Sequence, residues 1–166
     1  MPAPGARLLG AWRRLAPLPL GPWLFNRLLA FMNPYSGAVG ARVQSLEPGH
    51  AVLALRDRRA IRNHLDSVHA IALANVLEMA SGLAMLSALP EGARGIVLAI
   101  KVDYLKKARG TLTAESRVSL PDVSVNGTHE FTSAVRDLAG DEVARATVTW
   151  RLGPEKAAGG RQQALP

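Results

Sequence analysis

Glu78 is the only formally charged residue in an apolar stretch of twenty residues, from Ala70 to Leu89. A carboxylate in so apolar a segment is costly to bury unless it is paired, protonated or used in chemistry. A polar cluster with the sequence Arg-Asn-His-Leu-Asp-Ser-Val-His, residues 62–69, lies directly before the stretch. The pattern predicts that Glu78 acts as a base or nucleophile in a site that also uses this cluster.

The apolar stretch is predicted to form one long helix. It is rich in Ala, Leu and Met, which favour helices, and Pro90 and Gly92 end it. Either Asp66 or Ser67 is expected to cap its start. The helix is apolar on nearly every side, which predicts that protein surrounds it. A membrane span is the weaker alternative, because polar residues interrupt the stretch and strands follow it.

Alternating apolar and polar residues predict strands on both sides of this helix. Two short strands between Gly40 and Arg56 form a hairpin around the turn at residues 47–50. Four more follow the helix, and a single antiparallel sheet of about six strands can curl around it. The fold class is therefore α+β. The alternating runs after the helix are Ile100 to Tyr104, Leu112 to Val118, His129 to Arg136 and Val143 to Trp150.

The start of the predicted helix is suited to stabilising negative charge. Its first N–H groups, chiefly those of His69, Ala70 and Ile71, have no partners within the helix, and the helix dipole adds positive potential. A thioester carbonyl polarised there could be attacked by a carboxylate, or by a water that the carboxylate deprotonates. Asn63 has a donor and an acceptor with which to orient that water or the carbonyl.

Helix geometry separates the two parts of this candidate site. Glu78 lies nine residues after His69, which is about 180° around the helix and about 13 Å along its axis. The two side chains cannot form a catalytic pair within one chain. If both act on one substrate, the acid of one subunit must face the polar cluster of another, so the sequence predicts a homodimer, with a tetramer also open.

The residues from about 35 to 152 resemble the hotdog-fold thioesterases, especially those of the phenylacetate-pathway type and a related bacterial branch. In that family an asparagine precedes a histidine by six positions, a small residue follows the histidine, and an acid lies nine positions beyond it. Asn63, His69, Ala70 and Glu78 match these four places. The resemblance implies a curled sheet wrapped around a central helix, and hydrolysis of an acyl-CoA or acyl-carrier thioester in lipid metabolism.

By the same resemblance, Glu78 is the base or nucleophile, the Ala70 amide polarises the carbonyl, and Asn63 and His69 support them. No cofactor is implied beyond coenzyme A as part of the substrate. The chain departs from the family in having Ala70 where glycine is usual and Glu78 where aspartate is frequent. A Ser or Thr usually follows the third-strand aromatic, whereas Tyr104-Leu105 is followed here by Lys106.

Two other functions remain open at this point. Hotdog hydroxyacyl dehydratases have a His and a Glu fourteen positions apart, which is the spacing of His64 and Glu78, but they usually carry a Pro-Gly pair where this chain has residues 70–72, Ala-Ile-Ala. A noncatalytic acyl or acyl-CoA binding protein could use the same apolar channel, with Glu78 in a structural role.

Basic side chains near the cluster are candidates for binding substrate phosphates. Lys106, Lys107 and Arg109, which follow the third strand, form one set, and His64, in the cluster itself, is a candidate for binding the substrate. A second candidate set comprises Arg56, Arg58, Arg59 and Arg62. The chain has no cysteine, which excludes thiol nucleophiles and thiolate metal sites, and no histidine spacing predicts zinc.

The net charge of +7 is concentrated at the amino end, since residues 1–46 hold five arginines and no acid. The remaining body is nearly neutral, which argues against nucleic-acid binding. We expect residues 1–34 to form a basic amphipathic helical segment, residues 35–152 the hotdog domain, and residues 153–166 a disordered tail. The absence of cysteine is compatible with the cytoplasm, and organelle targeting also remains open.

The apolar stripe of the amino-terminal segment comprises Phe25, Leu28, Leu29 and Met32, spaced as on one helical face. Such a stripe predicts a helix packed on the domain or on a dimer partner. The alternative is peripheral contact with a membrane surface.

Overall fold

The computed structural model describes residues 4–155, in which three helices precede the sheet. The helices are α1 (Pro4–Leu15), α2 (Gly21–Met32) and α3 (Pro34–Val39). The first hairpin is formed by β1 (Arg42–Glu47) and β2 (His50–Leu55), and the long helix α4 spans Ala70–Ala88. The later strands are β3 (Ala93–Tyr104), β4 (Leu112–Arg117), β5 (Gly127–Arg136) and β6 (Glu142–Pro154).

The six strands form one sheet in the order β1-β2-β4-β5-β6-β3, and every neighbouring pair is antiparallel. The sheet curls around α4, which contacts all six strands. This is the α+β hotdog architecture expected from the sequence, and that prediction is confirmed. The two sheet edges are β1 and β3.

Helix α4 is the core of the domain. Most of its side chains are buried, including Val76, Leu77, Ala80 and Met85, which are fully inaccessible. It is long and apolar enough to cross a membrane by length and composition alone, but here the sheet encloses it. A buried hydrogen bond of 3.1 Å from Trp150 Nε1 to Ser81 Oγ fixes the helix against β6.

The amino-terminal helices pack on the same core. The segment predicted at residues 1–34 contains two separate helices, α1 and α2, and α3 begins at its end. Trp12 of α1 and Phe25 of α2 meet edge to face, with ring centroids 5.0 Å apart. Gly5 lies so close to the backbone of Leu86 that a Cβ there would clash with its carbonyl oxygen. The α2 side chain of Asn26 accepts a hydrogen bond from Val43 N–H and donates to Val43 C=O.

Two local expectations from the sequence were wrong. Helix α4 is capped by His69, not by Asp66 or Ser67, because Ser67 donates its hydroxyl to Asn63 and Asp66 lies in a turn with a positive φ of 50°. Strand β6 also continues past residue 152 to Pro154, which pairs with Ala93. The rest of the predicted tail, residues 156–166, lies outside the described residues.

Candidate active site

One stripe of α4 is left open by the sheet. Ile71, Ala74, Asn75 and Glu78 follow the spacing i, i+3, i+4, i+7, and none of them is fully buried. They form the floor of a groove that we call the α4 groove. Its walls are β3 on one side and α3 on the other, where Ser36 Oγ accepts a hydrogen bond of 3.1 Å from Asn75 Nδ2.

The β3 wall of the groove is apolar and uncovered. Val97, Ile100 and Tyr104 pair with buried residues of β6, so they share the face of the sheet that is turned toward α4. Their exposed fractions are nevertheless 38%, 42% and 49%. The Tyr104 hydroxyl donates to the Ala70 carbonyl oxygen at 3.0 Å, which joins this wall to the start of α4.

Glu78 lies on the floor of the groove in a largely apolar setting. Burial raises the pKa of its carboxyl group. Within residues 4–155 its side chain makes no hydrogen bond and no ion pair that would offset this cost. A methyl group at Gly82 would lie 3.7 Å from Glu78 Oε1 and 3.3 Å from the Trp150 ring, so glycine leaves space beside the carboxylate. The acid is therefore desolvated and free to take a proton.

In the first turn of α4 the N–H groups of Ala70 and Ala72 have no partner in the described part of the chain, and of the two residues Ala72 is buried whereas Ala70 is partly exposed. The His69 N–H donates to Ile61 O at 2.8 Å, and the Ile71 N–H donates to His69 Nδ1 at 3.1 Å. Because Nδ1 accepts, a neutral His69 carries its proton on Nε2, in an exposed ring. Ala70 N–H and His69 Nε2–H are therefore the accessible donors at this end.

Asn63 organises the loop that leads into α4. Its Oδ1 accepts hydrogen bonds from Leu65 N at 2.9 Å, Ser67 N at 3.4 Å and Ser67 Oγ at 3.1 Å. This arrangement is an Asx turn, in which a side chain substitutes for a backbone acceptor. Asn63 therefore holds the shape of the loop, and its Nδ2 group remains as the part that could contact a ligand.

Three of the predicted substrate-binding residues lie on two segments that pack together at this loop. Arg109 donates from Nε and a terminal nitrogen to the carbonyl oxygens of Asp66 and Leu65, at 3.1 and 3.2 Å. Val68 N–H donates to Ala108 O at 2.8 Å, so the segment carrying Lys107 lies against the loop carrying His64. His64, Lys107 and Arg109 are all exposed, and we call them the basic cluster.

The Lys106 side chain does not join the basic cluster. Its ammonium group contacts Asp137 at 2.8 Å and Asp141 at 2.6 Å, at the turn between β5 and β6. These carboxylates raise the pKa of Lys106. The side chain that replaces the family hydroxyl is thus engaged at a turn and not with Glu78, and it would have to leave both carboxylates to bind a phosphate.

The structure does not bring all the candidate residues together within one chain. Ala70 and Glu78 are eight residues apart on one helix, which is about 80° around it and about 12 Å along it. A carbonyl oxygen held by Ala70 N–H is therefore out of reach of the Glu78 carboxylate of the same chain. The two ends of the site lie at the start and in the middle of the α4 groove.

Two residues of the groove were not singled out from the sequence. Tyr104 anchors the start of α4 through its hydroxyl, as given above. Asn75 has its Nδ2 bonded to Ser36, whereas its buried Oδ1 has no partner among the described residues. Its position three residues before Glu78, on the same helical face, was the available signal.

No cluster of three or more His, Asp or Glu side chains is placed to hold a metal ion in residues 4–155. The site's chemistry is thus built from a carboxylate, amide donors and basic side chains in the region that the structure describes.

Comparison with known proteins agrees with this fold. The family model described as Domain of unknown function (DUF4442) matches residues 21–152. No curated protein matches the chain. Many solved structures do, and the resemblance to hotdog-fold thioesterases inferred from the sequence is confirmed by them.

Three of these structures illustrate the likeness. A structural genomics protein is 27% identical, with a TM-score of 0.78, and the match covers 90% of this chain and 98% of that one. A protein from Pseudomonas aeruginosa, called a probable thioesterase, is 21% identical, with a TM-score of 0.73 and coverage of 83% and 97%. A thioesterase family protein from Silicibacter pomeroyi is 25% identical, with a TM-score of 0.66 and coverage of 78% and 96%.

The role of Asn63 in the loop can be separated from any role in catalysis by two substitutions. Asn63→Ala removes the acceptor of three hydrogen bonds and should lower the free energy of unfolding by about 1–3 kcal/mol. Asn63→Asp keeps an acceptor oxygen at the same place and should retain most of the stability. Urea unfolding of the two variants checks this, and equal losses in both would contradict the Asx turn as the main role.

The raised pKa of Glu78 predicts a dependence of stability on pH. The folded chain binds the Glu78 proton more tightly than the unfolded chain, so stability falls as pH rises between the two pKa values. Glu78→Gln should therefore have a higher free energy of unfolding than the native chain above this window. The difference should shrink once the pH is below the ordinary range of glutamate.

This dependence can be measured by urea unfolding at a series of pH values. Glu91→Gln serves as the matched control, since Glu91 is an exposed acid just beyond the same helix. A Glu78→Gln difference that stays constant with pH would show that the carboxyl is not desolvated in the folded state.

Proposed function

This chain belongs to the DUF4442 family, and from its hotdog fold and its α4 groove we propose that it is an acyl-CoA thioesterase with active sites shared between two subunits. The observation that carries this proposal is the Glu78 carboxylate, desolvated and without a partner among residues 4–155, on the floor of an apolar groove. A carboxylate with a raised pKa is suited to act as a general base near neutral pH.

In the proposed reaction the thioester carbonyl oxygen lies against the Ala70 N–H and the start of α4. These donors stabilise the negative charge that develops on this oxygen. Glu78 of the other subunit deprotonates a water, which adds to the carbonyl carbon. The C–S bond then breaks, the proton on Glu78 passes to the leaving thiolate, and the products are a carboxylic acid and a thiol.

The proposal that two subunits share each site is supported by the exposed edge of the sheet. β3 is twelve residues long and carries exposed apolar side chains, a combination that favours pairing with another strand. Along the groove, Tyr104 of β3 contacts Ala70 of α4, and Gly95 of β3 lies beside Met85 of α4. Glu78, which lies between Ala70 and Met85 on the helix, is therefore beside the middle of β3. Antiparallel pairing of two β3 strands about a two-fold axis that lies between the level of Glu78 and the level of Ala70 would bring the start of one α4 toward the Glu78 of the other.

Coenzyme A is the proposed thiol carrier because of the basic cluster. His64, Lys107 and Arg109 lie on the loop and segment that flank the start of α4, where the thioester would be held. Arg109 uses two donors on loop carbonyls, which fixes its position, and the lysine remains free among the described residues to contact phosphate oxygens.

Replacing Glu78 by Gln tests the reaction directly. The variant keeps the shape of the side chain and removes the base, so thiol release should fall by about 100-fold or more. The measurement is thiol release from short, long and aryl acyl-CoA substrates by the full chain at matched oligomeric state. Glu91→Gln should keep native activity.

Release by the native chain that Glu78→Gln leaves unchanged would contradict the role of Glu78. No release from any substrate, together with saturable acyl-CoA binding, would favour noncatalytic binding.

Replacing Ala70 by Pro tests the carbonyl donor. Proline fits the first position of a helix, and His69 already has the extended backbone that precedes proline, with φ −64° and ψ 141°. The substitution thus removes the Ala70 N–H alone and should lower the rate by about 100-fold or more with little loss of stability. Ala70→Gly keeps the N–H and is the matched control.

The same variant tests whether the site is shared. A purified mixed dimer of one Glu78→Gln subunit and one Ala70→Pro subunit holds one site with both groups intact, and it should show about half of the native activity. An inactive mixed dimer, beside two folded parent variants, would show that both groups act within one chain.

The contribution of the phosphates is measured by comparing acyl-CoA with the matching acyl-pantetheine. The basic cluster predicts a lower KM for acyl-CoA, and Lys107→Gln should remove much of this preference without changing kcat. Lys101→Gln, at an exposed lysine of β3 on the opposite face of the sheet, is the control. Equal KM values for the two substrates with the native chain would contradict phosphate recognition.

A further inference from the structure

Helix α2 presents a large apolar surface to solvent. Its inner side is fixed by buried Phe25 and by the two hydrogen bonds of Asn26 to Val43, so the opposite side must point outward. That side carries large side chains whose exposed fractions range from 42% to 86%. We call this surface the α2 face, and its residues are Leu20, Trp23, Leu24, Arg27, Leu28 and Phe31.

The apolar stripe that the sequence predicted on this helix is only partly buried. Phe25 and Leu29 pack on the domain, whereas Leu28 and Met32 are 50% and 75% exposed. Burial in the domain thus explains one half of the apolar residues and leaves the other half uncovered. A patch of this kind on a soluble chain marks an interaction surface.

The turn before α2 adds an observation of backbone conformation. Leu20 has a φ of 62°, in the left-handed region that favours glycine, and its side chain is 77% exposed. This conformation is costly for leucine, because its Cβ approaches the following carbonyl oxygen. Packing within the described chain does not repay this cost, because the side chain projects into solvent beside Leu18, which is 53% exposed.

The charge around this surface has one sign. Arg27 lies within the α2 face, where its guanidinium is 5.8 Å from the centre of the Trp23 ring. Arg13 and Arg14 are exposed in the last turn of α1, next to the turn that carries Leu20. No acid occurs before Glu47. Leucine, tryptophan and phenylalanine in a segment whose charged side chains are all arginines complement a surface that is apolar inside and anionic outside.

A second copy of the chain is a poorer fit to this face. In a two-fold contact each α2 face would meet its own equivalent, which would bring Arg27 toward Arg27 with no acid of the segment to pair with either. The edge strand β3, at the opposite end of the sheet from β1 and α2, is the better surface for self-association.

We propose that the α2 face docks the protein on an anionic lipid bilayer. Leu20, Leu24 and Phe31 insert at the level of the headgroups and upper acyl chains, and Trp23 lies at the interface. Arg13, Arg14 and Arg27 contact lipid phosphates. The proposal is independent of the reaction at the α4 groove.

Vesicle sedimentation of the full chain tests the docking. Phosphatidylcholine vesicles that contain phosphatidylglycerol should bind the protein, phosphatidylcholine vesicles alone should bind it at least about tenfold more weakly, and added salt should weaken the binding. The double variant Leu24→Gln/Phe31→Gln should bind at least about tenfold more weakly than the native chain. The triple variant Arg13→Gln/Arg14→Gln/Arg27→Gln should lose the preference for anionic lipid.

Leu138→Gln is the matched control, since Leu138 is 83% exposed on the turn between β5 and β6. It should bind vesicles as the native chain does, and thermal unfolding should show that all the variants are folded. Equal binding by the native chain and the double variant would overturn the proposal. So would a double variant that changes the oligomeric state in the absence of vesicles, because that result would make the α2 face a contact between copies.

Discussion

The enclosure of helix α4 is the constraint on which the rest of the structure depends. A helix that is apolar on nearly every side can lie in water only if protein covers it all round. The curled sheet covers most of its circumference, and α1 to α3 cover a further part through contacts such as Gly5 with Leu86. The only stripe that neither layer covers is the one that contains Glu78. The groove is thus a consequence of how the core is closed, and the single acid of the helix lies where closure is incomplete.

The same incomplete closure gives the acid its chemical character. Full burial without a partner would keep a carboxyl group protonated, and full exposure would leave it an ordinary weak base. Glu78 lies between these limits, because the Trp150 side of the groove desolvates it while the mouth stays open. The start of α4 contributes a complementary environment, because the Ala70 amide has no partner in the described part of the chain whereas those of His69 and Ile71 have one. A free amide and a desolvated acid therefore lie on one helix but at two places, about 12 Å apart along its axis.

Sequence periodicity was sufficient to predict the elements that have one apolar and one polar face. The first hairpin and strands β4 to β6 alternate, and the long apolar run could only be a covered helix, so the fold followed. Strand β3 was underestimated, since its first half, residues 93–99, is apolar or uncharged on both faces, with the exception of Arg94, and shows no period of two. The predicted cap of α4 was wrong because the Ser67 hydroxyl donates its hydrogen bond to Asn63. Residue propensities do not predict which of several neighbouring side chains forms such a bond. The pairing of Lys106 with Asp137 and Asp141 joins residues more than thirty positions apart and needs the folded hairpin.

The amino-terminal helices cover one edge of the sheet and leave the other open. An open edge invites pairing with other chains, and β1 is blunted because the Asn26 amide occupies both the N–H and the C=O of Val43. β3 has no equivalent cover in the described chain, and its apolar side chains face the groove. Of the two edges, β3 is therefore the one that stays open to pairing with another strand in the described part of the chain. Helix α2 covers β1 with one side only. Its other side is apolar, lies in a segment whose charged side chains are all arginines, and is available for contact with a different surface.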